Sequence, residues 1–265
     1  MADRPSGGSI SRKDEAMSEW PEGYGLRILD EVDSTLNEAA RIAHGLSGPE
    51  WILAHRQTAA RGRRGRAWVD TGGNLAATLV LFPKEPAGTA ALRSFVASLA
   101  LHDACKAVGG AGCDLTLKWP NDVLVNGGKL AGILLESAGQ GGSLAHLAIG
   151  VGVNLAAAPE PEDVEAAAVR PVSLFGETGV KVAPERFLMH LAAAYAGHEN
   201  RFLAHGFEPI RTLWLARAAR LGEVVTARTV ASETVGTFET VDPSGNLILN
   251  TAKGRVAIAA ADVFF

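Results

Sequence analysis

The sequence predicts an α+β protein in which a sheet covered by helices is followed by a small β-barrel. Two observations carry this reading. From about residue 26, strand-like and helix-like segments alternate, the pattern of a sheet with helices packed on it. From Gly222 onward only short β segments separated by turn residues follow. The expected division is a disordered leader over residues 1–19, a main domain over 20–218 and the small domain over 219–265.

Leu26 to Val32 reads as the first strand. Thr35 and Glu38 have capping-box spacing before a helix whose apolar face is Leu36, Ala39, Ala40 and Ala43. Ile52 to Ala54 and Ala76 to Phe82 read as strands, and Gly88 to Val108 as a helix with Leu92, Phe95, Val96, Leu99 and Ala104 on one side, ended by Gly109-Gly110. Strands are predicted at Leu115–Lys118, Gly132–Ser137 and Leu144–Val153, with a hairpin turn at Asn126-Gly127-Gly128. Residues 156–170, rich in Ala, Pro and Glu, suit a surface connection, and Pro184 opens a long buried helix through Phe187, Leu188, Leu191, Ala192 and Tyr195. The small domain takes Val224–Arg228, Val235–Val241, Leu247–Asn250 and Arg255–Ala259 as strands, with Asp242-Pro243-Ser244-Gly245 between two of them.

With 265 residues and 47% hydrophobic content the chain can bury a large core. A net charge of -4 argues against non-specific nucleic-acid binding by the whole surface. No apolar run reaches the roughly 18 residues of a membrane span, and the polar leader is no secretory signal. Cys105 and Cys113 make no disulfide framework, which points to the cytoplasm. The 7 histidines lack metal-ligand spacing; His55, near Gln57, reads as core or rim packing.

The most unusual chemistry is Arg61-Gly62-Arg63-Arg64-Gly65-Arg66-Ala67-Trp68. Its glycines let backbone amides approach an anion, and its guanidinium groups offer planar donors to phosphate or carboxylate. A solvated basic loop or a nucleic-acid contact would have the same composition. Gly128-Lys129 is not a Walker-type loop, since no Ser or Thr follows. Lys118-Trp119-Pro120-Asn121-Asp122 places a polar cluster at a strand end, where Lys118 and Asn121 suit phosphate, base or ribose and Asp122 suits magnesium; an ordinary turn is the plainer alternative. Lys129 emerges from a glycine turn into an apolar strand, so it faces either a ligand or solvent.

Together, Arg61–Trp68 and Lys118–Glu136 closely resemble the signature loops of biotin protein ligases, as do Asp33-Ser34-Thr35, Gln57, Gly150-Val151-Gly152-Val153-Asn154 and the small C-terminal barrel. The resemblance covers about residues 20 to 265. It implies a mixed-sheet catalytic domain similar to class II aminoacyl-tRNA synthetases, followed by an SH3-like domain. It also implies a C–N bond-forming ligase: ATP and Mg2+ activate biotin to biotinyl-5'-AMP, and biotin then passes to a lysine of a biotin carboxyl carrier protein or domain. Nucleic acid and membrane are not implied partners, and a homodimer is compatible with it.

By this resemblance the biotin contacts are Ser34, Thr35, Gln57, Arg61, Gly62, Arg63, Lys129 and Gly132. Arg63, Arg64, Arg66, Trp68, Lys118, Asn121 and Asn154 fall on the nucleotide, and Lys129, Arg63, Asp122 and Lys118 are the catalytic set, with Asp122 also a magnesium ligand. Two positions depart from the family's pattern. Leu36 stands where many members have Asn, with Asn37 as a candidate substitute, and Ala60 stands where many have Gly. Some members carry an N-terminal helix-turn-helix; the roughly 20 polar residues before the first strand are too few for one. A lipoate ligase and a non-catalytic biotin sensor are the rival readings.

Overall fold

The computed structural model describes residues 20–69, 71–110, 112–140, 143–160, 169–229 and 232–265. The leader predicted over 1–19, and part of the 156–170 connection, lie outside the described residues.

Seven strands form the main sheet: β1 (Gly25–Val32), β2 (Glu50–Gln57), β3 (Leu75–Leu81), β4 (Leu115–Lys118), β5 (Asp122–Val125), β6 (Gly128–Gln140) and β7 (Ser143–Val153). Their order is β1-β2-β3-β7-β6-β5-β4. Among the described strands, β1 and β2 pair in parallel, across the crossover helix α1 (Thr35–Ile42), and the other neighbours in the sheet are antiparallel, so the sheet is mixed as expected. Every residue of β3 is buried, as a central strand covered on both faces requires. On one face lie α2 (Ala87–Ala91), α3 (Arg93–Gly109) and the long α5 (Pro184–His205), which bury Phe95, Leu99, Phe187 and Leu191 against Trp51, Leu79 and Ile149. On the other face α1 buries Leu36, Ala39 and Ala43 against Ile52, Val80 and Ala148. The short α4 (Leu174–Thr178) follows the connection, and α6 (Phe207–Leu215) leads to the second sheet.

That second sheet is antiparallel and contains β8 (Val224–Arg228), β9 (Glu233–Val241), β10 (Leu247–Thr251), β11 (Gly254–Ile258) and β12 (Asp262–Phe264), in the order β11-β10-β9-β8-β12. It shares the main core through Phe238, Val241, Leu247 and Leu249. The 242–245 turn docks inward: Trp119 Nε1 donates to the Gly245 carbonyl at 3.1 Å, and a Cβ on Gly245 would lie 2.9 Å from Leu92.

Several expectations need correction. The helix read as continuous from Gly88 breaks at Leu92 into α2 and α3, although neither Pro nor Gly marks the break. The cap of α1 is Ser34, whose Oγ accepts from the Leu36 amide, so the capping box counted from Thr35 is one residue late, and Ala40 is exposed. β6 starts at Gly128 rather than Gly132. Strands β5 and β12 and helices α4 and α6 were not read from the sequence at all.

Candidate active site

A cleft of about 450 Å³ opens on the α1 face of the main sheet, walled by β6 and β7, the arginine loop and β12. Ser34, Thr35, Gln57, Arg61, Gly62, Arg66, Trp68, Lys118, Asn121, Asp122, Lys129, Gly132 and Asn154 all line it. Of the expected set, Arg64 reaches its rim through Asp262, and the Arg63 side chain lies outside the described residues.

One end is neutral and buried. Because Ser34 takes the capping role, Thr35 is available to the site: its amide and Oγ1 donate to Gln57 Oε1 at 2.8 and 3.1 Å, and Thr78 Oγ1 donates to Thr35 Oγ1 at 2.8 Å. Ser34, Thr35 and Thr78 are each at most 3% exposed. Leu36 forms an apolar wall; a Cβ on Gly150 would lie 2.9 Å from it, so a bare backbone on β7 makes room for that side chain. Asn37 does not replace the missing polar contact. It donates to Asp33 Oδ2 at 2.7 Å and accepts from Arg61 Nη1 at 2.6 Å.

The arginine loop is a closed turn. Gly62 N donates to Arg66 O at 2.7 Å and Trp68 N to Ala60 O at 3.1 Å, while Arg64 (φ 57) and Gly65 (φ 73) turn the tip through the left-handed region. At its base Arg61 grips Glu136 of β6 in a two-pronged pair of 3.0 and 2.7 Å. Hydrogen bonding to Glu136 raises the Arg61 pKa above its ordinary value. The Arg61 side chain, expected on biotin, lines the cleft and is paired with Glu136 and Asn37, where it tethers the loop. At the tip, Arg64 Nη1 and Arg66 Nη2 meet Asp262 Oδ2 at 2.6 and 2.8 Å.

Gly132 and Gly152 are cross-strand partners, and Trp68 lies in the slot they leave. A Cβ on Gly152 would sit 2.7 Å from Trp68 Cε2, and one on Gly132 would sit 3.2 Å from Trp68 Cζ3. The close approach expected at Gly132 is therefore made by the indole.

The other end is ionic. The β4–β5 hairpin pairs Lys118 with Asp122, and β6 brings Lys129 alongside, so Asp122 lies 2.8 Å from Lys129 Nζ and 4.0 Å from Lys118 Nζ. The Lys118 ammonium lies 5.5 Å from the centre of the Phe265 ring. Asn121 Nδ2 donates to the Ile133 carbonyl. Asn154, 2% exposed, donates from Nδ2 to Val172 O at 3.0 Å, but its buried Oδ1 has no hydrogen-bond partner. Leaving such an atom unmatched costs about 1–3 kcal/mol, which favours a ligand donor at that point.

Two ammonium groups on Asp122 leave it poorly suited to a divalent cation, and no group of three or more metal-ligating side chains occurs among the described residues. His55 stands off the cleft, 3.5 Å from Glu185. Sequence reading missed Thr78, Glu136 and Asp262 as site members. Glu136 had a signal, an acid closing the apolar run Ile133-Leu134-Leu135; Asp262 had none.

The mixed sheet thus carries a cleft that joins a neutral pocket to a cationic rim, with the last strand of the second sheet on its border. The profile of the biotin/lipoate A/B protein ligase family matches residues 29–154, and that of the biotin protein ligase C-terminal domain matches residues 221–265. The chain belongs to the biotin protein ligases of this family. It is 55% identical to a biotin–acetyl-CoA-carboxylase ligase of Paracoccus denitrificans, over 90% of this chain and 99% of that protein. It is 30% identical to the bifunctional ligase/repressor BirA of Bacillus subtilis, over 91% of this chain and 74% of that protein. Among solved structures, a biotin protein ligase from Aquifex aeolicus in complex with biotin and ATP superposes with a TM-score of 0.76 at 25% identity, covering 90% of this chain and 97% of that one. No helix among the described residues is long and apolar enough to cross a membrane.

Proposed function

We propose that this chain activates biotin with ATP and transfers it to a lysine of a biotin carboxyl carrier domain. The observation that carries the reading is the two-ended cleft. A buried, neutral hydrogen-bonding end suits an uncharged ring, and a cluster of lysines and arginines suits a carboxylate meeting phosphates. In the first step a biotin carboxylate oxygen attacks the α-phosphorus of ATP, the bond to the bridging oxygen breaks, and pyrophosphate leaves. In the second, a carrier amine attacks the anhydride carbon, AMP leaves with the bonding electrons, and the amine proton passes to solvent.

Thr35 and Gln57 hold the ring system beside Leu36, with Ser34 fixing the helix end that presents them. Lys129 neutralises the carboxylate and then the adenylate phosphate, and Lys118, Arg63, Arg64 and Arg66 attract the remaining phosphate oxygens. Positioned cations of this kind stabilise charge as it builds in the transition state. Asp122 orients the two lysines. Mg2+ enters as part of the ATP substrate, coordinated by phosphate oxygens rather than by a protein cage. Asn154 Oδ1 accepts from the nucleotide, and Trp68 walls it. Cys105 and Cys113 are free thiols, in keeping with an enzyme of the reducing, ATP-supplied cytoplasm.

The test is transfer. Incubation with biotin, MgATP and a carrier domain should label that domain for streptavidin detection, and a carrier whose acceptor lysine is changed to arginine should remain unlabelled. Equal labelling of both carriers, or of neither, would overturn the proposal.

A further inference from the structure

We propose that Asp262, on the last strand of the second sheet, is a positioning residue that latches the arginine loop across the cleft. Three observations meet there. First, a single carboxylate oxygen receives Arg64 at 2.6 Å and Arg66 at 2.8 Å, although these residues are separated from it by 198 and 196 positions in the chain. Second, the geometry is that of a support beneath the cations. The Asp262 side chain is 16% exposed, whereas those of Arg64 and Arg66 are 35% and 43% exposed. Each guanidinium has further N–H groups besides the one aimed at Asp262, and these can face a phosphate. Third, Arg64 has φ 57, a conformation that a residue with a side chain adopts only when its surroundings hold it there.

The loop is thereby fixed at two points by two different sheets. Arg61 pins its base to Glu136 on β6, and Asp262 pins its tip to β12. Without the second contact the tip hinges about its base, and the phosphate-facing arginines lose their fixed aim. The second sheet then contributes to nucleotide affinity through the loop.

The latch is tested on the full-length chain without substrates by limited trypsin digestion, since the loop carries four arginines. In Asp262→Asn, nicking between Arg61 and Arg66 should rise about fivefold, the effect expected when two partly exposed charge-assisted bonds are weakened, and Asp262→Glu should restore it to within about twofold. In wild type, going from about 0.05 M to about 0.5 M NaCl shortens the screening length about threefold and should raise nicking in the same loop, corrected for trypsin activity on a peptide. This arm decides the matter if the Asn variant fails to fold. A kinetic arm rests on the proposed function: the KM for ATP in biotin-dependent pyrophosphate release should rise about fivefold in Asp262→Asn, with the KM for biotin unchanged within about twofold. Unchanged nicking in the Asn variant, failure of Glu to rescue, indifference of wild type to salt, or equal rises in both KM values would each overturn the latch. Absence of pyrophosphate release from wild type would instead overturn the function, leaving the digestion result to stand.

Discussion

The two ends of the cleft are built on different principles. The neutral end lies within one sheet and its crossover helix: Thr35, Gln57 and Thr78 are held by buried and half-buried hydrogen bonds between uncharged groups. The ionic end is assembled from β4, β5, β6, the arginine loop and the last strand of the second sheet, and its cations remain partly exposed. A pocket for an uncharged ring needs fixed shape and matched polar atoms, whereas phosphate handling needs excess positive charge that can adjust as charge moves.

The largest expected effect lies at the ionic end. Lys129→Ala should lower biotin-dependent pyrophosphate release about 10²–10³-fold, mostly in kcat, as for other lost electrostatic stabilisers. A fall confined to KM would mean that Lys129 only binds. Next is Gly152→Val at the boundary between the ends. Its side chain would collide with the Trp68 ring on a strand paired along both edges, and overpacking costs about 1–3 kcal/mol, so the KM for ATP should rise at least about fivefold. An unchanged KM would show that Trp68 is not part of the nucleotide wall.

These two sites also show what was legible in advance. The arginine loop, Lys129 and the Lys118–Asp122 segment stand out because their chemistry is concentrated in a few consecutive residues. The alternation of elements pointed to a sheet covered by helices, the resemblance supplied its mixed character, and the turn-rich tail pointed to a small β domain. Short or distant features stayed hidden. β5 opens inside the polar Asn121-Asp122 pair that reads as an ordinary turn, and β12, with 3 residues at the chain's end, is too short for a periodicity to register. Asp262 acquires a role only through residues nearly two hundred positions away. Arg61 lines the cleft, as expected of a ligand-facing cation, but its side chain is also held by Glu136, unassigned in the sequence, and by Asn37, expected to be a polar contact to the ligand. Likewise, the cap moved from Thr35 to Ser34 because only the folded backbone shows which oxygen faces the free amide.

The neutral end supplies the next prediction. Gln57→Leu removes the acceptor of the Thr35 amide, at a cost of about 1–3 kcal/mol, so the KM for biotin should rise about tenfold while the KM for ATP holds. Salt should distinguish the ends further: between about 0.05 M and about 0.5 M NaCl the KM for ATP, which meets several cations, should rise more steeply than that for biotin, whose single carboxylate meets Lys129. Parallel responses would dissolve the distinction.

The smallest effect belongs to the scaffold behind both ends. Burial raises the Asp103 pKa, but hydrogen bonds from His102 and His198 outweigh it and hold the carboxyl well below the usual range. A folded-state pKa below the unfolded value gives stability that is present above about 3.9 and is lost as pH falls through the lower folded value. Because Asp103 is 37% exposed, Asp103→Asn should cost less than about 1 kcal/mol at pH near 7, shrinking in acid, with neither KM altered. Urea unfolding at several pH values checks this; a kinetic change would mean that the rear helices communicate with the cleft.

The most direct test of the two-ended cleft is pyrophosphate release from MgATP by the purified chain, measured with biotin, with lipoate and with neither acid. Release is expected with biotin, and only background in the other two. Release with lipoate at a comparable rate, or none with biotin, would contradict it.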